Sequence, residues 1–188
     1  MKHLILGGVR SGKSRLAEKL ATESGEAVLY VATAEAFDAE MKHRISLHQQ
    51  QRSSVWSTIE CPLMLSEILT DTRYQQQTIL IDCMTLWLNN WIYLLSEQHS
   101  NTDYGPSFRK QFERQFSEIQ QQLIVDLQQY TGTVIIVSNE VGFSITPDNP
   151  LSRVFADYQG WLNQALAEVC DTVRLVAAGL PLMLKESE

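Results

Sequence analysis

Residues 4–14 read LILGGVRSGKS. Three apolar residues, Leu4 to Leu6, run into two glycines, which predicts a short buried strand ending at a turn. Residues 7–14, GGVRSGKS, then match G-x-x-x-x-G-K-[ST]. At average composition, a chain of this length contains a chance match with a probability of roughly 1%. From Ser14 to about Ser24 the pattern turns helical, with Leu16, Ala17 and Leu20 on one face. Strand, glycine loop and helix in that order are the context the motif requires. The chemistry explains the residue types. Glycines let backbone N–H groups approach phosphate oxygens, and a helix N-terminus adds partial positive charge. Lys13 is placed to reach the β- and γ-phosphates, and the Ser14 hydroxyl to ligate Mg2+. The competing reading is an ordinary glycine-rich turn between strand and helix.

Working outward, Ala27 to Val31 (AVLYV), Trp56 to Glu60 and Thr78 to Ile81 (TILI) read as further strands. Helices are expected from Asp38 to about Arg52, with Asp38 as its cap, and from Pro62 to about Thr72. Met84 to Leu95 is apolar nearly all round, so it is expected as a helix buried on most faces, interrupted by Asn89 and Asn90. Residues 96–107 read as a polar loop. Phe108, Phe112, Phe116, Ile119, Leu123 and Leu127 recur at helical spacing and predict a core-facing stripe. Val134 to Val137 is expected as a strand, 151–169 as a helix, and strands follow near 172–177 and 181–184. Strands alternating with helices predict an α/β fold with a mostly parallel sheet and helices on both faces. With the glycine loop, the expected fold is a P-loop NTPase of RecA-like type. The whole chain, 1–188, reads as a single domain.

The acid that partners such a loop follows a buried strand, and Ile79, Leu80, Ile81 then Asp82 fits that position. Alone the pattern is weak, since an Asp also caps a helix starting at Met84. No N-K-x-D reads guanine, so a Ras-like GTPase is not expected.

Composition narrows the partners. A net charge of −7 argues against nucleic acid or an anionic membrane as main partner. Cys61, Cys83 and Cys170 form no C-x-x-C pair, which points to core thiols in a reducing, cytoplasmic setting. No apolar run is long enough to span a bilayer.

Residues 44–52, RISLHQQQR, set Arg44, His48 and Arg52 four apart. On a helix all three share one face, about 40° apart per step. A solvated helix face is the plain reading. Yet like charges at that spacing repel, and two guanidiniums would lower the histidine pKa and keep it neutral. A neutral imidazole is a nucleophile, and arginines clamp phosphate. A kinase alone needs no such histidine; a nucleotidyl transferase with a covalent intermediate does.

At this point the chain resembles a known family over nearly its whole length. The carrying stretches are GGVRSGKS at 7, YVATAE at 30, RISLHQQQR at 44, STIECP at 57, ILIDCMTLWLNN at 79, VSNEVGFSITPDN at 137 and GLPLMLK at 179. They resemble the bifunctional adenosylcobinamide kinase/adenosylcobinamide-phosphate guanylyltransferases of cobalamin biosynthesis. The resemblance implies ATP or GTP as phosphoryl donor to a corrinoid, then GMP transfer from GTP through a guanylylated histidine, His48. It carries nucleotide contacts onto Gly7, Gly8, Val9, Arg10, Ser11, Gly12, Lys13 and Ser14, onto Thr33, Ala34 and Glu35, onto Gln49, Gln50, Gln51 and Arg52, and onto Glu60 and Asp82. Lys13 and His48 would be catalytic, and Ser14 and Asp82 the Mg2+ ligands. A homo-oligomer, a trimer by resemblance, is implied. Ser53 departs from the proline expected there, which only loosens a turn.

His3, His43 and His99 are expected to be bystanders. Trp87 and Trp91 read as core or subunit interface rather than a corrinoid platform. Glu140 is placed either to orient acceptor or metal or to cap a turn. Two other functions fit the cradle: a simple small-molecule P-loop kinase with His48 idle, and a nucleotide-binding interaction module that hydrolyses little.

Overall fold

The computed structural model describes residues 1–35, 55–98 and 104–186. The helix expected over 38–52, with Arg44, His48, Gln49, Gln50, Gln51 and Arg52, lies outside the described residues, as do His43 and His99.

The strands are β1 (Lys2–Gly7), β2 (Val28–Ala32), β3 (Ser57–Glu60), β4 (Thr78–Asp82), β5 (Thr133–Asn139), β6 (Thr172–Ala177) and β7 (Leu180–Glu186). The helices are α1 (Lys13–Glu23), α2 (Leu65–Thr70), α3 (Met84–Gln98), α4 (Pro106–Gln129) and α5 (Pro150–Val169). One sheet runs β3-β2-β4-β5-β1-β6-β7. All its neighbours are parallel except β6 and β7.

Parallel strands covered on both faces lose the polar alternation of a half-exposed strand, which is why LILG, VLYV and TILI read as unbroken apolar runs. Ile5, Tyr30, Leu80, Ile135 and Val137 face α1 through Ala17 and Ala21. The alternate residues, Leu4, Leu29, Val31, Ile79, Ile81, Val134 and Ile136, join the larger core with α2 to α5. The phenylalanine stripe of α4 is buried there, with Phe112 stacked on Phe108 and Phe116 at 5.6 and 5.0 Å. Asn149 caps α5 by accepting from Ser152 N, and Pro150 opens the helix.

Two expectations need correcting. The helix from Pro62 to Thr72 is shorter, Leu65–Thr70. Its start is delayed because the carbonyls of Pro62 and Leu63 accept from Asn90 Nδ2 (3.0 Å) and Trp87 Nε1 (2.7 Å) instead. It stops early because the Asp71 carboxylate takes the Arg73 N–H at 2.9 Å and closes a turn. The loop expected from 96 begins later, since α3 continues to Gln98. Trp87 is a fully buried core residue, with Trp91 edge-on at 6.3 Å. Cys61, Cys83 and Cys170 are free and buried. His3 lies within β1, Nδ1 2.7 Å from Thr172 Oγ1, at the strand end remote from the glycine loop.

Candidate nucleotide site

Four strands deliver their C-terminal ends to one edge of the sheet. β1 ends in the glycine loop, β2 runs into Thr33–Glu35, β3 ends at Glu60, and β4 ends at Asp82. In open α/β sheets that edge is where ligands gather. β5 stands between β1 and β4, so the loop and Asp82 are one strand apart.

The loop is held tightly. A Cβ on Gly7 would meet Ser11 Oγ at 2.5 Å and the Val176 carbonyl at 2.6 Å, so only glycine fits there. Inside the turn, Ser11 N donates to Gly8 O at 3.2 Å, and Arg10 takes a positive φ of 57°. Gly12 opens α1 in the left-handed region, with no side-chain cap and no acid in the first helical turn. The first N–H groups of α1 are therefore left without a side-chain partner, the condition that suits an anion. Lys13 Nζ folds back onto the Gly8 carbonyl at 3.1 Å. Burial holds the Lys13 ammonium below the ordinary lysine value, against the opposing pull of Cys83 and Asp82. Ser14 is half-buried in the same turn.

Asp82 accepts from the Tyr30 hydroxyl at 2.9 Å. The peptide after it is fixed by Thr33, whose side chain is fully buried. Thr33 Oγ1 accepts from Cys83 N at 2.8 Å and donates to Cys83 O at 2.7 Å. Thr33 N donates to Asp82 O, and its carbonyl accepts from Asn90 Nδ2 at 2.8 Å. The hydroxyl is thus occupied within the protein, and Ala34 and Glu35 continue outward, half-buried and exposed. Glu60 is exposed and pairs in register with Ala32, beside that stretch. Burial pushes the Cys83 thiol up to about 11, which keeps it neutral and unreactive beside the carboxylate. For a magnesium ion, one carboxylate and one hydroxyl make a sparse set of hard oxygen donors. That suits an ion that keeps several of its waters, and no cluster of three acidic, histidine or cysteine ligands stands among the described residues.

Some positioning groups were not picked out from sequence. Tyr30, Thr85 and Asn90 serve the strand ends from neighbouring elements. Thr85 Oγ1 accepts from Asn139 N at 2.8 Å, and Asn163 Nδ2 donates to Asn139 O at 3.0 Å. Behind it Ser138, Gln159 and Asn163 form a buried polar trio at 2.7–3.0 Å. The buried Asn139 Oδ1 has no partner among the described residues. The available signal was polarity on an otherwise greasy face, as at Asn90. Glu140 caps a turn here, Oε1 accepting from Gly142 N at 2.7 Å.

Residues 3–184 match the family model for cobinamide kinase / cobinamide phosphate guanyltransferase. The chain belongs to this family. It is accordingly an enzyme of cobalamin biosynthesis with the family's kinase and guanylyltransferase character. The bifunctional adenosylcobalamin biosynthesis protein CobP of Pseudomonas aeruginosa is 43% identical over 185 residues, 98% of each chain. The corresponding protein CobU of Salmonella typhimurium is 37% identical, over 98% of this chain and 100% of that one. Among solved structures, the RadB recombinase superposes with a TM-score of 0.47 at 14% identity, covering 93% of this chain and 73% of that one. The fold class of this cobinamide kinase / guanyltransferase family member stands on its own sheet order and glycine loop.

Proposed function

We propose that the protein phosphorylates adenosylcobinamide and then converts the product to adenosylcobinamide-GDP. The observation carrying this reading is the convergence of the Gly7–Ser14 loop, Asp82 and Glu60 on one sheet edge, in a chain whose family performs both reactions. In the first step the aminopropanol hydroxyl oxygen attacks the γ-phosphorus of ATP or GTP. The bond to the β-phosphate oxygen breaks, the nucleoside diphosphate leaves, and the hydroxyl proton passes to solvent. The Gly7–Ser14 amides and Lys13 hold the triphosphate and take up charge at the transferring group. Ser14 and Asp82 would hold Mg2+, which supplies charge neutralisation at the phosphates. Glu60 accepts hydrogen bonds from base or ribose, and Thr33, Ala34 and Glu35 line the adjoining strand end.

In the second step a His48 ring nitrogen attacks the α-phosphorus of GTP and pyrophosphate leaves. A cobinamide phosphate oxygen then attacks the phosphorus of the guanylyl group, the new P–O bond forms as the N–P bond breaks, and the imidazole leaves restored. Support for His48 is the R-I-x-x-H-x-x-x-R spacing at 44–52, with Arg44 and Arg52 as phosphate clamps and Gln49, Gln50 and Gln51 between them. The whole chain would act as one domain, cytoplasmic, binding nucleotide and corrinoid. No helix among the described residues is long and apolar enough to cross a membrane. Self-association is supported by the edge strand β7, which leaves Leu180, Leu182 and Leu184 exposed, and a trimer is what the family resemblance implies.

The test uses GTP labelled at the α-phosphate with Mg2+. Label bound to protein, acid-labile and alkali-stable, is expected in the wild type. His48→Ala should lose that label and guanylyl transfer while still phosphorylating cobinamide. A variant that makes the GDP product at near wild-type rate refutes the covalent route.

A further inference from the structure

We propose that the two-residue turn between β6 and β7, Ala178–Gly179, positions the phosphate loop, with Gly179 as the positioning residue. The proposal rests on reading Gly7–Ser14 as a triphosphate cradle. The hairpin pairs Ala177 with Leu180, leaving Ala178 and Gly179 as the turn. Both have positive φ, 50° and 79°, as a tight primed hairpin turn requires. In such a turn the N–H of the second turn residue takes no part in the ladder. Here it reaches sideways: Gly179 N donates to Ser11 O at 2.8 Å.

That bond fixes a peptide inside the loop. In a planar trans peptide the C=O and the next N–H point in opposite directions. Holding the Ser11 carbonyl toward the hairpin therefore turns the Gly12 N–H away from it, toward the side left open for an anion. The packing agrees at both ends of the loop. A Cβ on Gly12 would lie 3.2 Å from Gly179 Cα, and one on Gly7 would lie 2.6 Å from Val176 O. So β6 and its turn form the wall against which the loop is set. A Cβ on Gly179 itself would meet nothing within 4 Å. Glycine is there for the backbone angle that aims its N–H rather than for space.

The consequence is an energetic role for a turn remote in sequence from the motif. Without this bond the Ser11–Gly12 peptide is free to rotate, and the bound phosphate must order it. One ordinary hydrogen bond's worth of preorganisation corresponds to a roughly 3- to 10-fold change in nucleotide dissociation constant.

Two measurements test this on the full chain. Hydrogen exchange in the nucleotide-free protein should show the Gly179 amide protected, although the turn is exposed, with the neighbouring Ala178 amide exchanging faster. A Gly179 amide as fast as that of Ala178 overturns the proposal, and this reading needs no variant to fold. Replacing Gly179 by glycolic acid, which exchanges its N–H for an ester oxygen and leaves the positive φ open to it, should raise the dissociation constant for GTP roughly 3- to 10-fold. It should also speed exchange of the residue 8–14 amides while those of α5 stay protected. Ala178→Gly, which keeps the donor, should bind as the wild type does. A folded ester variant with unchanged loop exchange and GTP affinity refutes the positioning role. A wild type that binds no nucleotide removes the cradle, and this proposal with it.

Discussion

Replacing Thr33 by valine removes one hydroxyl and leaves shape almost unchanged. That oxygen is fully buried and bonds both the N–H and the carbonyl of Cys83, at 2.8 and 2.7 Å. The two losses are unequal. The Cys83 carbonyl keeps Trp87 N as a donor at 3.2 Å, so it forfeits one bond worth about 0.5–1.5 kcal/mol. The Cys83 N–H is left buried without a partner, which costs about 1–3 kcal/mol. Thr33→Val should therefore destabilise the protein by about 2–4 kcal/mol. Thr33→Ser, a poorer match in volume, keeps the hydroxyl and should cost only about 1 kcal/mol for the lost methyl. Urea unfolding followed by tryptophan fluorescence gives both numbers. The function should follow the same order, because the clamped peptide carries Asp82. A shift of the order of 1 Å in a reacting geometry costs about 100-fold in rate, so phosphoryl transfer should fall by 10- to 100-fold in Thr33→Val and little in Thr33→Ser. Valine as stable as wild type, or serine worse than valine, would show that the hydroxyl is not what holds the strand end.

Lys13→Ala should slow phosphoryl transfer by roughly 100- to 1000-fold, since it removes a fixed charge from the transferring group. Burial lowers the Lys13 pKa, and the ammonium is the form that bonds phosphate. The alkaline limb of kcat/KM, which reports the free enzyme, should therefore begin below the ordinary lysine value of 10.5, and Lys13→Arg should lack it. Tyr130 and Tyr158 are both pushed up to about 12 by burial. The folded pKa exceeds the ordinary value of 10, so their contribution is complete below pH 10 and drains away as pH rises toward 12. Thermal melts between pH 9 and 12 should show Tm falling across that window. Tyr130→Phe, which also gives up bonds to the Tyr74 and Gln77 carbonyls, should start lower and fall less steeply. A slope unchanged in the variant would assign the alkaline loss to other groups.

The legibility of the chain follows from the range of the forces involved. LILGGVRSGKS could be read because strand, turn and helix start are adjacent, so backbone requirements map directly onto residue type. The buried parallel strands were legible for a related reason, since two covered faces leave no polar positions. Boundaries set from a distance were not. The start of α2 is delayed by Trp87 and Asn90, more than twenty residues away, and neither leaves a mark in the sequence near Pro62.

By itself, then, the sequence determined the α/β class and the strand, glycine loop and helix at its start, and it pointed to a phosphate cradle, to Asp82 as its partner acid, and to the arginine–histidine spacing that motivates covalent transfer. Each is a local pattern in which residue type and backbone geometry constrain one another within a few positions. The tertiary structure alone decided what holds those pieces in place. The Thr33 hydroxyl belongs to the peptide after Asp82, fifty residues on. The Gly179 N–H belongs to Ser11, across the hairpin of the last two strands. Such bonds form only once the order β3-β2-β4-β5-β1-β6-β7 has brought distant backbone groups within 3 Å of one another. Any of many hydroxyls and amides satisfies a buried donor or acceptor equally well, so the chain carries no local sign of which one does.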